Sequence, residues 1–330
     1  MSEVRAKKAL GQHFLVDLNI ARKICDALSG GERPGAGAET RANAAGYAGA
    51  GAEARTRVAG YAGAGAETRN GDGAGMAADA RLAADTTAAG APAAAEEKRG
   101  GAVPCDVLEV GCGMGVLTQY LLRRGDITTY GAEIDPESVG YLHAHFPEFA
   151  PRLIEGDFLK MNLRERFPRG LKIIGNFPYN ISSQIFFKVL EHRDLVPECV
   201  GMIQKEVAVR IAEPPGSKEY GILSVLLQAW YDIEYLFTVN ETVFNPPPKV
   251  KSAVIRLRRN SVGRLGCDEA LFVKVVKASF GQRRKMIRNS LRAVFGDFGG
   301  AEHPFFTQRA EQLSVADFVQ LTDWVAANRK

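Results

Sequence analysis

Short apolar runs alternate with helical repeats through the middle of the chain. Asp106 to Val110 reads as a buried strand that runs into the turn Gly111-Cys-Gly-Met-Gly115, with a helix over Val116 to Leu122 behind it. Residues 127–134 give a second strand, and Pro136 then opens a helix. Leu153 to Asp157 reads as a third strand and its turn. Residues 171–174 form a fourth, which reaches Gly175-Asn-Phe-Pro-Tyr-Asn180. This alternation predicts an α/β fold, a parallel sheet with helices on both faces. Ligands of such sheets sit beyond the carboxyl ends of the strands, so the glycine turn, Glu133, Asp157 and Asn176 should share one edge.

The flanks read differently. Upstream, Ile20, Ile24 and Leu28 lie on one face of a helix with Asp17 as its N-cap. The preceding segment, Gly11-Gln-His-Phe-Leu15, reads either as an arm packed on the domain or as a flap over a ligand. Downstream, residues 181–191 are helical, and 199–204 and 222–229 are apolar enough for buried elements. Asp232 to Phe237 and Ala253 to Leu257 read as late antiparallel strands, with the polyproline-like loop Val243-Phe-Asn-Pro-Pro-Pro-Lys-Val250 between them. Beyond about residue 260 the pattern turns helical, over roughly 268–279, 283–295 and 314–328. The expected organisation is one α/β domain over 1–258 and a small helical domain over 259–330.

Composition changes this picture at one place. Of the 66 residues from 35 to 100, 38 are Gly or Ala, and the block Gly-Ala-Gly-Ala-Glu recurs at 35–39, 49–53 and 63–67. Such a stretch cannot bury enough apolar surface to offset its ordering entropy, so it reads as a disordered, repeat-expanded insertion in the first domain. Over the whole chain the 330 residues are 46% hydrophobic, enough for a sizeable core. Five scattered cysteines without metal-ligand spacing suit a reduced, cytoplasmic protein. No apolar run is long enough for a membrane span, and no metal site is expected, since His143 and His145 would point apart on a helix.

The candidate chemistry is that of a base. Gly111, Gly113 and Gly115 have the spacing Gly-x-Gly-x-Gly, not the Gly-x-Gly-x-x-Gly of a pyrophosphate turn. Glu133, 22 residues after Gly111, is placed for ribose hydroxyls. Asp157 at the third strand end reads as an acceptor for an adenine amino group or as a helix cap. An adenosine cofactor without a pyrophosphate clamp points to S-adenosyl-L-methionine. Asn176 offers an amide acceptor, Pro178 stiffens the carbonyl beside it, and Tyr179 and Phe244 are expected to sandwich a target base whose amine attacks the methyl group. Positioning dominates such a reaction and no catalytic base is nominated.

The net charge is only +4, but 13 Lys or Arg against two acids lie between Lys249 and Arg292. Lys249, Arg283, Arg284, Lys285, Arg288 and Arg292 are the candidates for phosphate contact, with Arg284, Arg288 and Arg292 expected on one face of a helix, and Met286, Ile287 and Leu291 elsewhere.

Together these motifs resemble the ribosomal RNA adenine N6,N6-dimethyltransferases. The matching stretches are Lys8 to Leu15, Leu108 to Gly115, Glu133 to Asp135, Glu155 to Asp157, Gly175 to Ile181, Val243 to Val250, Gln282 to Leu291 and Arg309 to Ser314. The resemblance implies a class I, Rossmann-like S-adenosylmethionine-dependent methyltransferase domain with a small C-terminal helical domain. It further implies cofactor contacts from His13, Leu15, Gly111, Glu133, Asp157 and Asn176, where His13 replaces the family's usual asparagine. The implied substrate is two adjacent adenosines in a hairpin loop near the 3′ end of 16S rRNA, within the immature small ribosomal subunit, and the implied protein is a cytoplasmic monomer. A macrolide-resistance methyltransferase of the large-subunit RNA and a non-catalytic nucleic-acid-binding relative are the competing readings. The arginine-rich segment from Gln282 and the intact Asn176-Phe-Pro-Tyr179 weigh against them.

Overall fold

The computed structural model describes residues 4–7, 10–30, 104–282 and 284–329. The insertion over 35–100 and the candidate Arg283 lie outside the described residues.

The α/β expectation holds. Seven strands form one sheet in the order β4 (Leu153–Glu155), β3 (Ile127–Glu133), β2 (Cys105–Val110), β5 (Lys172–Asn176), β6 (Glu198–Gln204), β9 (Ser252–Arg259) and β7 (Tyr231–Val239). β2 to β6 pair in parallel, and β9 lies antiparallel between β6 and β7. The strands read as unbroken apolar runs because both faces are covered. Val107, Ile174, Val200 and Val254 point to the face packed by helix α1 (Leu18–Asp26) and the short α2 (Thr118–Leu121). Their neighbours Leu108, Ile173, Cys199 and Ile255 point to the other, onto α5 (Ser182–Glu191) and α7 (Ile222–Gln228). The same apolar cluster continues into α8 (Glu269–Gly281), α9 (Ile287–Phe295) and α10 (Val315–Asn328) through Phe272, Leu291 and Phe318. Asp17 caps α1, its Oδ1 accepting from the Asn19 and Ile20 amides at 2.8 and 3.1 Å.

The second C-terminal helix starts four residues later than the sequence suggested. Gln282 leaves helical geometry, the Lys285 N–H closes a turn on the Gln282 carbonyl at 2.7 Å, and Met286 is extended. The Ile287 amide then bonds across to Gln308. Arg284 and Lys285 therefore sit in a turn ahead of α9 and share no helical face with Arg288 and Arg292. Met286, grouped with Ile287 and Leu291 away from the arginine face, is exposed, whereas those two are fully buried.

Below this frame, at the amino ends of the strands, the last turn of α1 is clamped. Arg124 donates to the Cys25, Leu28 and Ser29 carbonyls, Arg256 to Ala27, and Lys172 to Ser29 and Gly30. The chain thus leaves for residues 31–103 at the end of the sheet opposite the expected ligand edge.

Candidate active site

The glycine turn follows β2 directly. Gly111, Gly113 and Gly115 all have positive φ, of 76°, 53° and 75°, which only glycine adopts without strain. Their amides are engaged inside the protein. The Gly111 N–H donates to the Ala132 carbonyl, Gly115 to Cys112, and Gly113 to Glu133 Oε2, at 2.9, 2.9 and 2.8 Å. Those three glycine amides are therefore not free to cradle a pyrophosphate. Glu133, at the end of β3, also accepts from the Ile134 and Asp135 amides through Oε1, both at 2.9 Å. Burial pushes its pKa up against these three bonds. Glu109, one strand away, is buried with the Thr118 hydroxyl 2.6 Å from its Oε2, and burial raises its pKa to about 8.

Asp157 serves as a cap: its Oδ1 accepts from the Leu159 amide at 2.9 Å and starts the turn Phe158–Lys160. It also lines the cleft, so the two sequence readings are compatible. Phe177 fixes the next segment. Its ring is buried over Gly175 and Gly201, which pair across β5 and β6, and a Cβ at Gly201 would come within 2.4 Å of it. The Phe177 amide donates to the Met202 carbonyl at 3.0 Å. With the ring seated, Asn176, Pro178 and Tyr179 project at the carboxyl edge. Asn176 Nδ2 donates to the His13 carbonyl at 3.0 Å, which leaves Oδ1 to accept from a ligand. The Tyr179 hydroxyl lies 2.5 Å from Ser252 Oγ, and its ring is 5.4 Å from that of His13.

One cleft gathers these groups. It is lined by His13, Leu15, Gly111, Gly113, Glu133, Asp157, Asn176, Pro178 and Tyr179, and also by Gln12, Phe14, Glu109 and Ile134. Of the nominated base and cofactor residues only Phe244 is missing. It lies in β8 (Phe244–Asn245), paired antiparallel with β1 (Phe14–Leu15), and is 3% exposed in the cluster with Leu15 and Val254. Of the two plates expected for a base, Tyr179 lines the cleft and Phe244 is covered, because the arm adds a strand beside the loop that carries Phe244. His13 Nδ1 lies 2.9 Å from the Pro246 carbonyl in that same loop.

The phosphate candidates stand apart from the cleft lining. Lys249, Arg284 and Lys285 are exposed. Arg288 pairs with Glu302, and Arg292 with Asp297 at 3.0 Å, so their charge is partly matched. Sequence reasoning passed over Lys205 and Lys251, exposed beside Tyr179: the Lys205 amide donates to the Lys251 carbonyl at 2.9 Å, next to the Gln204–Ser252 pair. Only strand register brings them together.

A seven-stranded sheet and this cleft are common to several chemistries; comparison with known proteins narrows them. The sequence model described as Ribosomal RNA adenine dimethylase matches residues 104–327. The chain is 47% identical over 324 residues to the ribosomal RNA small subunit methyltransferase A of Parabacteroides distasonis, covering 98% of this chain and 94% of that protein. This chain belongs to the ribosomal RNA adenine dimethylase family. The protein of the same name from Bacteroides thetaiotaomicron is 59% identical over 221 residues, 66% of this chain and 82% of its own. Among solved structures, a dimethyladenosine transferase from Plasmodium falciparum superposes with a TM-score of 0.57 at 25% identity, over 68% of this chain and 90% of that one.

The cofactor of a dimethylase of this family is S-adenosylmethionine, and the cleft fits it. Phosphate-free adenosine suits a glycine turn whose amides are engaged and which is flanked by Glu109 and Glu133. Ile134, 51% exposed, offers an apolar plate beside the capping Asp157. Among the described residues no helix is long and apolar enough to cross a membrane.

Proposed function

We propose that this protein transfers methyl groups from S-adenosylmethionine to N6 of two adjacent adenosines near the 3′ end of small-subunit rRNA, acting on the immature subunit as a cytoplasmic monomer. The observation that carries this reading is the Asn176 amide: Nδ2 is held by the His13 carbonyl, so Oδ1 is the acceptor presented to the cleft. When bound, the cofactor supplies an electrophilic methyl group on sulfur. Asn176 Oδ1, together with the carbonyl ahead of Pro178, accepts hydrogen bonds from the adenine amino group and turns its lone pair toward the cleft. Tyr179 stacks on the base, its ring fixed by the bond to Ser252. Glu133 and Asp157 take the ribose and the adenine edge of the cofactor, and His13 and Leu15 close over it. The rate gain comes from holding the two reactants in line at about 3–3.5 Å and from excluding water. The alkylated amine is acidic and loses its proton to solvent, so no side chain is assigned as base.

RNA affinity is assigned to cations outside the cleft. Lys205 and Lys251 lie next to the Ser252 that holds Tyr179, Lys249 is exposed two residues before Lys251, and Arg283, Arg284, Lys285, Arg288 and Arg292 belong to residues 259–330, read here as a helical RNA-binding domain beside the methyltransferase domain of 1–258. Phosphate contacts of this kind set register and salt dependence, and the cleft sets chemistry.

The test is transfer of labelled methyl groups by the purified protein. Dimethyladenosine in the RNA of immature small subunits is the expected product. Labelling of free large-subunit RNA instead would support the resistance-type reading. Binding of small subunits without any labelling would replace the enzyme with a non-catalytic relative.

A further inference from the structure

The amino-terminal arm forms one wall of the cleft through residues 10–15, yet it belongs to no strand of the main sheet. Its contacts are few and specific. At one end Leu15 pairs with Phe244. In the middle, the Phe14 ring lies over Gly113, 3.1 Å from where a Cβ would stand, and the His13 carbonyl receives Asn176 Nδ2. At the other end the arm meets Asp135, a fully buried side chain two residues beyond Glu133.

Asp135 does more there than cap α3 (Pro136–His145). For the cap, its oxygens accept from the Glu137 amide at 3.4 Å and the Ser138 hydroxyl at 3.1 Å. It also accepts from the Lys7 ammonium through Oδ1 and from Gln12 Nε2 through Oδ2 at 3.3 Å. Gln12 in turn accepts the Lys7 backbone N–H at 2.7 Å, closing a triangle among the three residues. Lys7 lies 3.2 Å from Glu137 as well. A helix cap alone needs none of these arm contacts.

We propose that Asp135 is a positioning residue for methyl transfer: it latches the arm across the cofactor cleft and, through the arm, orients the Asn176 amide. The path is short. Gln12 is bound to Asp135, the next residue supplies the carbonyl that holds Asn176 Nδ2, and that bond decides which end of the amide faces the substrate. Releasing the latch frees both the cleft wall and the amide. The inference rests on the cofactor reading of the cleft given above, and the experiment separates the two.

Three variants test it in the full-length protein: Asp135→Asn, which retains a capping side chain, and Lys7→Met and Gln12→Ala, which leave the cap untouched. Binding of S-adenosylmethionine without RNA, steady-state kinetics, RNA affinity and Tm are measured for each. The latch predicts a cofactor Kd and KM raised about tenfold in Lys7→Met and Asp135→Asn, as expected for loss of a charge-assisted hydrogen bond. RNA affinity and Tm should hold in Lys7→Met, and a protein carrying both Lys7→Met and Asp135→Asn should bind cofactor no worse than the more impaired of the two single variants. Unchanged cofactor binding in all three variants would overturn the latch while leaving the cleft assignment intact. So would a Lys7→Met variant that loses RNA affinity alone, since Lys7 would then be a phosphate contact. A wild-type protein that binds no S-adenosylmethionine would overturn the cleft reading and the latch together.

Discussion

At the amino ends of β5 and β6, Lys172 and Glu198 are both buried and 3.2 Å apart, with Ser29 donating to the carboxylate and Arg258 3.5 Å from it. Near the carboxyl end of β2, Glu109 is equally buried but has no cation among its described partners, only Thr118, through its hydroxyl and its backbone amide. The two glutamates titrate in opposite directions. Burial pushes Glu198 up, but the Ser29 hydrogen bonds and the Lys172 charge outweigh it and hold its pKa below the ordinary 4.5. Burial dominates at Glu109 and carries it to about 8. One end of the sheet is saturated and serves stability. The other keeps acceptors in reserve, which is a cost to the fold that makes sense only where a ligand binds.

The largest effect that would break this comparison is expected at the saturated end. Glu198→Gln strands the Lys172 ammonium and should lower stability by about 3–5 kcal/mol at neutral pH, read by chemical denaturation. Because the pKa of Glu198 is depressed, that loss should shrink as pH falls from 4.5, where the unfolded chain takes up the proton, through the lower pKa at which the native carboxylate is itself protonated. Next comes Asn176→Ala, with turnover down about 100-fold, or about 2.7 kcal/mol, while Tm and RNA affinity stay nearly constant. Equal loss of affinity and turnover would count against its proposed role. Glu109→Gln should act in the opposite sense to Glu198→Gln. Its raised pKa makes the native state lose stability between pH 4.5 and about 8, so the amide should raise Tm at pH 8 and change little at pH 4.5. A lower Tm at pH 8 would place an unseen cation near Glu109. The smallest effect is at the RNA surface. Arg284→Ala should reduce the slope of log K against log salt by about 0.7–0.9 and leave cofactor binding unchanged.

The strands were legible because a sheet covered on both faces writes itself as continuous apolar runs, and their polar ends mark the ligand edge. Asn176, Glu133 and Asp157 were therefore legible as neighbours on one edge. Three features were not. The segment from Arg284 to Met286 is rich in good helix formers, so its turn was hidden, and the helix starts where the Ile287 amide finds Gln308 instead. Phe244 sits in a proline-rich loop, where no periodicity reports burial, and its cover comes from Leu15, far away in sequence. The partner of the Asn176 amide is a backbone carbonyl 163 residues away, and a carbonyl leaves no trace in residue identity.

The clamp on α1 has a practical corollary. Arg124, Lys172 and Arg256 grip the backbone up to Gly30, and β2 resumes at Cys105 on that same side of the sheet. The junction is thus where a change of length should be tolerated: with the clamp intact, doubling the stretch between these two points should cost only about 0.6 kcal/mol of closure entropy.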